Sequence, residues 1–154
     1  MCLYRNQAAI RIEGKGMRQL QRALRIRTRG QGMAEVTGEV AHWLAGEGAG
    51  TGLLTLFIRH TSASLAIQEN ADPTVQADLM DALDRLAPRS LPYRHATEGP
   101  DDMPAHVRAM LTGVSLQVPV AEGRMLLGTW QGIYVIEHRD RPHDREIVLH
   151  YCGT

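Results

Sequence analysis

The stretch "VSLQVPVAEGRMLLGTWQGIYVIEHRDRPHDREIVLHY", residues 114–151, decides the fold class. Apolar residues alternate in much of it, the two-residue period of strands that bury one face. The polar breaks "AEGR" and "RDRPHD" carry turn residues. "VSLQVPV", "RMLLGTW", "GIYVIEH" and "REIVLHY" are therefore expected as successive strands in hairpin connection.

Working back along the chain, "QAAIRIE" and "ALRIRTR" also alternate and frame a turn region at Gly14 and Gly16. Val36, Val40, Trp43 and Leu44 recur at helical spacing, and Gly46, Gly48 and Gly50 stop that helix. "LLTLFIRH" is a strand that puts Leu54, Leu56, Ile58 and His60 on one face; Ser62 and Ser64 extend the row if the strand runs on. Asp72 before Pro73 starts a helix striped by Val75, Leu79, Leu83 and Leu86, and Pro88 ends it. A shorter helix from near Asp102 to Gly113 is expected to turn Met103, Val107, Met110 and Leu111 inward, with His106 at the stripe's edge. Strands early, helices in the middle and strands late predict an α+β fold with largely antiparallel β-sheets and about three helices. No repeat or linker divides the chain, so one domain over residues 1–154 is expected.

A chain of 154 residues can bury roughly two thirds of its unfolded surface, so folding requires neither a metal nor a disulfide. Its 17 basic and 17 acidic residues cancel, which argues against nucleic acid as a partner held by bulk charge. Arg25, Arg27 and Arg29 alternate and read first as the wet face of a strand. Cys2 and Cys152 lack the paired spacing of a zinc site and could meet only if the end strands pair; a reduced, cytoplasmic setting is the simpler expectation. No run approaches the roughly 20 apolar residues of a membrane span, and "MCLYRNQAAI" lacks the pattern of a leader, so no membrane partner is expected.

Chemistry-bearing side chains crowd "RHTSASLAIQENADP", residues 59–73, and the segments around the other histidines. His42 beside Trp43, His143 in a charged loop and His150 on the last strand read as ordinary structural residues. His60, His95 and His106 each lie where an apolar element meets a polar loop. His95 and His106 bracket "ATEGPDDMPA", which supplies Glu98, Asp101 and Asp102, and imidazoles with carboxylates are the usual ligands of zinc and related divalent metals. The spacing itself matches no tight zinc motif. Asp72 reads as a helix cap and Asn70 as a turn former. Gln131, Ile133, Val135 and Glu137 share one strand face, and a buried glutamate needs a partner or a cation, which makes Glu137 a better candidate than His138 on the other face. Gln131 and Glu137 stand roughly 20 Å apart on a straight strand. They join one pocket only if Gly128 and Gly132 bend the chain or another subunit completes it.

Taken together, "HTSASLAIQENADP", "YRHATEGPDDMPAHVRAMLTG" and "GTWQGIYVIEHRDR", with "VSLQVPVAEGRMLLG" between the last two, resemble the YjbQ-like proteins, often named the secondary thiamine-phosphate synthase family. The resemblance covers about residues 7–152. It implies a compact α+β subunit assembled as a homotrimer, with a pocket near the subunit contacts. It also implies thiamine-phosphate formation from a pyrimidine pyrophosphate and a thiazole phosphate, a side activity of some members. The family pattern marks His60, Asp72, His95, His106, Gln131 and Glu137. On this reading a divalent metal ion sits on His60, His95 and His106, while Asp72, Gln131 and Glu137 are catalytic. Ser62, Ser64, Asn70 and Arg94 then meet a small phosphorylated substrate. Imidazole ligands favour zinc or another transition metal over Mg²⁺. Two departures from the pattern stand out: "GPDDMPAH" leaves Asp101 and Asp102 both open as the equivalent acid, and "EHRDRPHDR" puts His138 and Arg139 where many members carry an aromatic and "DGPR". The alternative is a non-catalytic trimeric ligand-binding or scaffold protein with a buried His/carboxylate network.

Overall fold

Residues 11–14 and 16–154, the part that the computed structural model describes, form two antiparallel sheets and three helices. Strands β1 (Arg11–Gly14) and β2 (Met17–Arg27) make the first hairpin, turning through Gly16 at φ 88°, where a Cβ would be strained. β3 (Gly32–Glu35) leads into α1 (Thr37–Gly46), β4 (Gly52–Ile58) and β5 (Ala63–Glu69). Helices α2 (Pro73–Leu86) and α3 (Asp102–Thr112) follow, then β6 (Ser115–Ala121), β7 (Arg124–Met125), β8 (Gln131–Glu137) and β9 (Asp144–Gly153). The larger sheet has the order β1-β2-β9-β4-β6-β7, the smaller one β3-β8-β5. Cys2 and residues 7–10 of the first expected strand lie outside the described residues.

One core fills the space between the sheets. Leu20, Leu54, Leu56, Ile58, Ile147 and Leu149 come from the larger sheet, Leu65, Ile133 and Val135 from the smaller, and Val40 and Leu44 from α1. Each such side chain contributes about 1.5–3 kcal/mol of burial. The outer face of the smaller sheet meets α2 and α3, so β8 is buried on both faces from Gly132 to Glu137. That second covering explains why "GIYVIEH" is apolar almost throughout.

Four expectations need correction. The row from Leu54 to Ile58 stops before His60, because residues 59–62 carry the chain out of the larger sheet and β5 opens in the smaller one; Ser62 and Ser64 do not extend it. "GIYVIEH" and "REIVLHY" do not pair, since β8 and β9 belong to different sheets. "RMLLGTW" shortens to β7, with Leu126 and Trp130 exposed. Helix α3 buries Asp102, Ala105, Arg108 and Ala109 rather than its larger apolar residues, leaving Met110 and Leu111 at 81% and 56% exposure. Small and polar residues sit under this helix because β5 passes close beneath it and Arg108 reaches back to α2. By contrast, the α2 stripe faces its neighbours without any residue becoming fully buried, and Leu86 is exposed.

Candidate metal centre

Helix α3 opens on the sequence "DD", and its first turn carries the site. Asp102 and His106, one turn apart, point the same way, and the loop before the helix brings His95 to them. Oδ2 of Asp102 lies 3.0 Å from Nε2 of His95 and 3.3 Å from Nε2 of His106. This oxygen is buried and has no hydrogen-bond partner. His106 donates its Nδ1–H to the carbonyl of Thr61, 3.0 Å away, so neutral His106 presents a bare Nε2 lone pair. The rings of His95 and His106 stand 6.0 Å apart at 57°.

A divalent cation fits this donor set. Ligand atoms about 2.1 Å from a common ion, at roughly 90–109° to one another, lie about 3.0–3.4 Å apart. The two spacings from Asp102 fall in that range, and a carboxylate oxygen buried without a donor is the group that a cation would compensate. Glu98 Oε1 stands 3.7 Å from His95 Nε2 and is exposed. Arg139 contacts Oδ1 of Asp102 and donates from Nε to Asp101 Oδ2 at 2.9 Å. Asp101 would be raised by burial, yet the Asp140 backbone N–H and the Arg139 guanidinium outweigh this and hold its carboxyl below the usual range. A cleft of about 360 Å³, lined by Glu98, Asp101, Arg139, Arg141 and His143, opens alongside.

The other candidate residues lie elsewhere. Nε2 of His60 accepts the Glu146 backbone N–H at 2.8 Å, in a separate cleft with Arg25, Arg59 and Arg145. Burial, then Arg145, lowers the His60 pKa, which favours the neutral ring that this accepted hydrogen bond requires. Glu137 is 1% exposed and accepts from Arg145 Nε and Nη2 at 2.7 and 2.5 Å, from Thr28 Oγ1 at 2.8 Å and from the Arg139 backbone at 3.0 Å. Burial pushes its pKa up, but Arg145 and these other donors more than reverse the shift. Ser62 is tied to Arg145 through its hydroxyl. Ser64 is fully buried, bonded to His138 Nε2 at 2.8 Å and to Thr112 at 2.6 Å. Arg94 is exposed beside His95.

Asn70, Asp72 and Gln131 gather at the far end of the smaller sheet. Gln131 pairs with Glu69 at one end of the β5–β8 ladder, and Glu137 with Ala63 at the other. Asp72 caps α2 by accepting from the Thr74 backbone and hydroxyl at 2.8 Å each, which lowers its pKa. Gln131 accepts from Gly128 N at 2.8 Å, and Asn70 N donates to Trp130 O at 3.0 Å. β8 keeps its register along the whole ladder, so neither glycine folds Gln131 back to Glu137. The sequence left Asp102 open beside Glu98 and Asp101 as a carboxylate donor, and gave neither Arg139 nor Arg145 a role behind the site. The doubled aspartate and the arginine-rich "RDRPHDR" are the signals that mark them.

The profile of the UPF0047 protein YjbQ-like family matches residues 22–154. A UPF0047 protein of Synechocystis is 49% identical over 137 residues, covering 88% of this chain and 93% of the relative. The UPF0047 protein YjbQ of Salmonella typhimurium is 43% identical, covering 86% and 97%. Among solved structures, a hypothetical protein of Aeropyrum pernix K1 superposes with TM-score 0.80 at 32% identity, covering 87% of this chain and 98% of its own. A YbjQ-like protein of unknown function from Sulfolobus solfataricus P2 reaches TM-score 0.83 at 22% identity over 90% and 99%, which shows the shared fold. Among the described residues no helix is long and apolar enough to cross a membrane. By sequence and by fold, the chain belongs to the YjbQ-like UPF0047 family.

Proposed function

We propose that this protein is a metal-assisted enzyme of the cytoplasm acting on a phosphorylated small molecule, with thiamine-phosphate synthesis as its reaction or a secondary activity. One observation carries the reading: the unpartnered Asp102 oxygen set between two imidazole nitrogens. Three protein donors leave coordination positions open, the pattern of catalytic rather than structural sites. Two imidazoles and one carboxylate favour zinc or another transition metal over Mg²⁺. A metal bound there would supply Lewis-acid stabilisation of negative charge on a departing pyrophosphate.

His95, Asp102 and His106 would hold the ion, and Arg94, exposed and next to His95 in sequence, would meet phosphate oxygens. Asn70, Asp72 and Gln131 are too far along the sheet to reach the same substrate within one chain. We assign them to the neighbouring site of a homotrimer, where one copy's end of the sheet meets another's metal centre. The buried Glu137–Arg145 and Ser64–His138 pairs favour a second reading, a non-catalytic trimeric ligand-binding scaffold stabilised by its His/carboxylate network.

Elemental analysis of the wild type, Asp102→Ala and His106→Ala, purified identically, tests the first reading, with pyrophosphate release as the companion assay. Near-stoichiometric zinc or another transition metal in the wild type alone, with metal-dependent turnover, is expected. Equal, negligible metal in all three after incubation with zinc refutes it, and bound metal without turnover on phosphorylated substrates favours the scaffold.

A further inference from the structure

Asp102 is a carboxylate with its two oxygens in different employment. Oδ2 faces the histidines, while Oδ1 is held by Arg139 Nη1. The same guanidinium donates from Nε to Asp101 Oδ2 at 2.9 Å and from Nη2 to the Glu98 carbonyl at 2.8 Å. All three nitrogens of the fork therefore end on the segment that presents the metal donors. A guanidinium can satisfy three acceptors in one plane, whereas an ammonium concentrates its charge at a point.

Arg139 is itself held from behind. Its backbone N–H donates to Glu137 Oε1, and Glu137 is locked by Arg145 and Thr28. Asp101 Oδ2 also accepts from the Asp140 backbone at 3.0 Å, which fastens the loop after β8 to the start of α3. The chain of contacts runs from the core between the sheets to the unpartnered oxygen. Without Arg139 the Asp102 carboxylate could turn and offer both oxygens, or swing toward solvent.

We infer that Arg139 is the positioning residue of the metal centre: by occupying Oδ1 of Asp102 it presents Oδ2 alone to the cation and fixes the coordination geometry. This rests on the metal reading proposed above. Partners of this kind, one bond behind a ligand, typically change metal affinity by about 10–100-fold.

The test uses the full chain stripped of metal, with Zn²⁺ titrated against a chromogenic chelator, and Co²⁺ loaded separately for its visible spectrum. Wild type, Arg139→Lys, Arg139→Ala and Asp102→Ala are compared, with thermal melting of the metal-free proteins as the folding control. Expected are tight Zn²⁺ binding by the wild type and about 10–100-fold weaker binding by Arg139→Ala, with partial rescue by Arg139→Lys and an altered Co²⁺ spectrum in both. A purely structural role lowers melting temperature while leaving affinity and spectrum unchanged, and that result overturns the inference. If Arg139→Ala does not fold, Arg139→Lys alone decides, since wild-type affinity and spectrum in that variant also overturn it. A wild type that binds no Zn²⁺ removes the metal reading itself and this inference with it, an outcome distinct from equal binding by wild type and variants.

Discussion

Replacing Glu137 by Gln separates a structural from a catalytic glutamate. Its side chain is 1% exposed and takes four hydrogen bonds, two of them from Arg145, which is itself 4% exposed. A glutamine presents one acceptor and one donor group to this set, so at least one N–H loses its acceptor and Arg145 becomes a buried charge without a counter-ion. Breaking one side of such a pair costs about 3–5 kcal/mol, a large share of the ~5–15 kcal/mol that stabilises a typical domain. With an m-value of about 1–3 kcal/mol/M, the urea midpoint should fall by more than about 1 M, read by tryptophan fluorescence at one fixed protein concentration. Replacing both partners, Glu137→Met with Arg145→Met, should recover most of the loss, because no charge is then stranded. Should Glu137→Gln fail to fold, Glu137→Asp provides the graded version. A midpoint change worth less than about 1 kcal/mol, combined with abolished turnover, would refute the structural argument and return Glu137 to the catalytic list.

Two further outcomes follow from the geometry. His138 is fully buried against Arg108, and burial, then that charge, depresses its pKa to about 4. Its contribution is complete above the unfolded value near 6.5 and is lost as pH falls toward about 4, about 3 kcal/mol in all; a His138 ring, assigned by its loss in His138→Gln, that titrates by NMR near 6.5 in the folded protein would contradict this. Asp72→Ala should lower the melting temperature by removing the α2 cap, while Asp72→Asn keeps the cap and Zn²⁺ uptake stays at the wild-type level in both; lost uptake would show that Asp72 reaches a metal.

Local pattern carried most of the elements into view. The Asp72–Pro73 start, the α1 stripe and the alternation of Leu54, Leu56 and Ile58 all rest on neighbours close in sequence, and the structure has them. Partner choice between strands does not rest on local pattern, which is why β8 and β9 read as a hairpin although the core lies between them. The α3 stripe misled for a related reason: Ala105 and Ala109 are buried because a strand passes close by, a fact that their own sequence does not contain. At the candidate centre, the histidines were visible as residue types, and His95 and His106 do converge. His60 is drawn away by the exit from β4 toward the other sheet, and the choice between Asp101 and Asp102 depended on which one the first turn of α3 buries between the rings.

The placement of β9 also bears on how the protein is made. It follows every other strand in chain order, yet it lies in the middle of the larger sheet, hydrogen-bonded to β2 on one side and β4 on the other. A nascent chain that has emerged only as far as β8 holds the β1–β2 hairpin and the β4–β6–β7 ribbon as two pieces with open edges facing each other. Such edges invite pairing with other chains. Closure then needs contacts spanning more than 100 residues, from Arg27 to Asp144, so this sheet locks late. During translation, the interval before residues 144–153 leave the ribosome is thus the period of greatest exposure to misassembly, and a premature stop within β9 releases two half-sheets instead of a slightly shortened one.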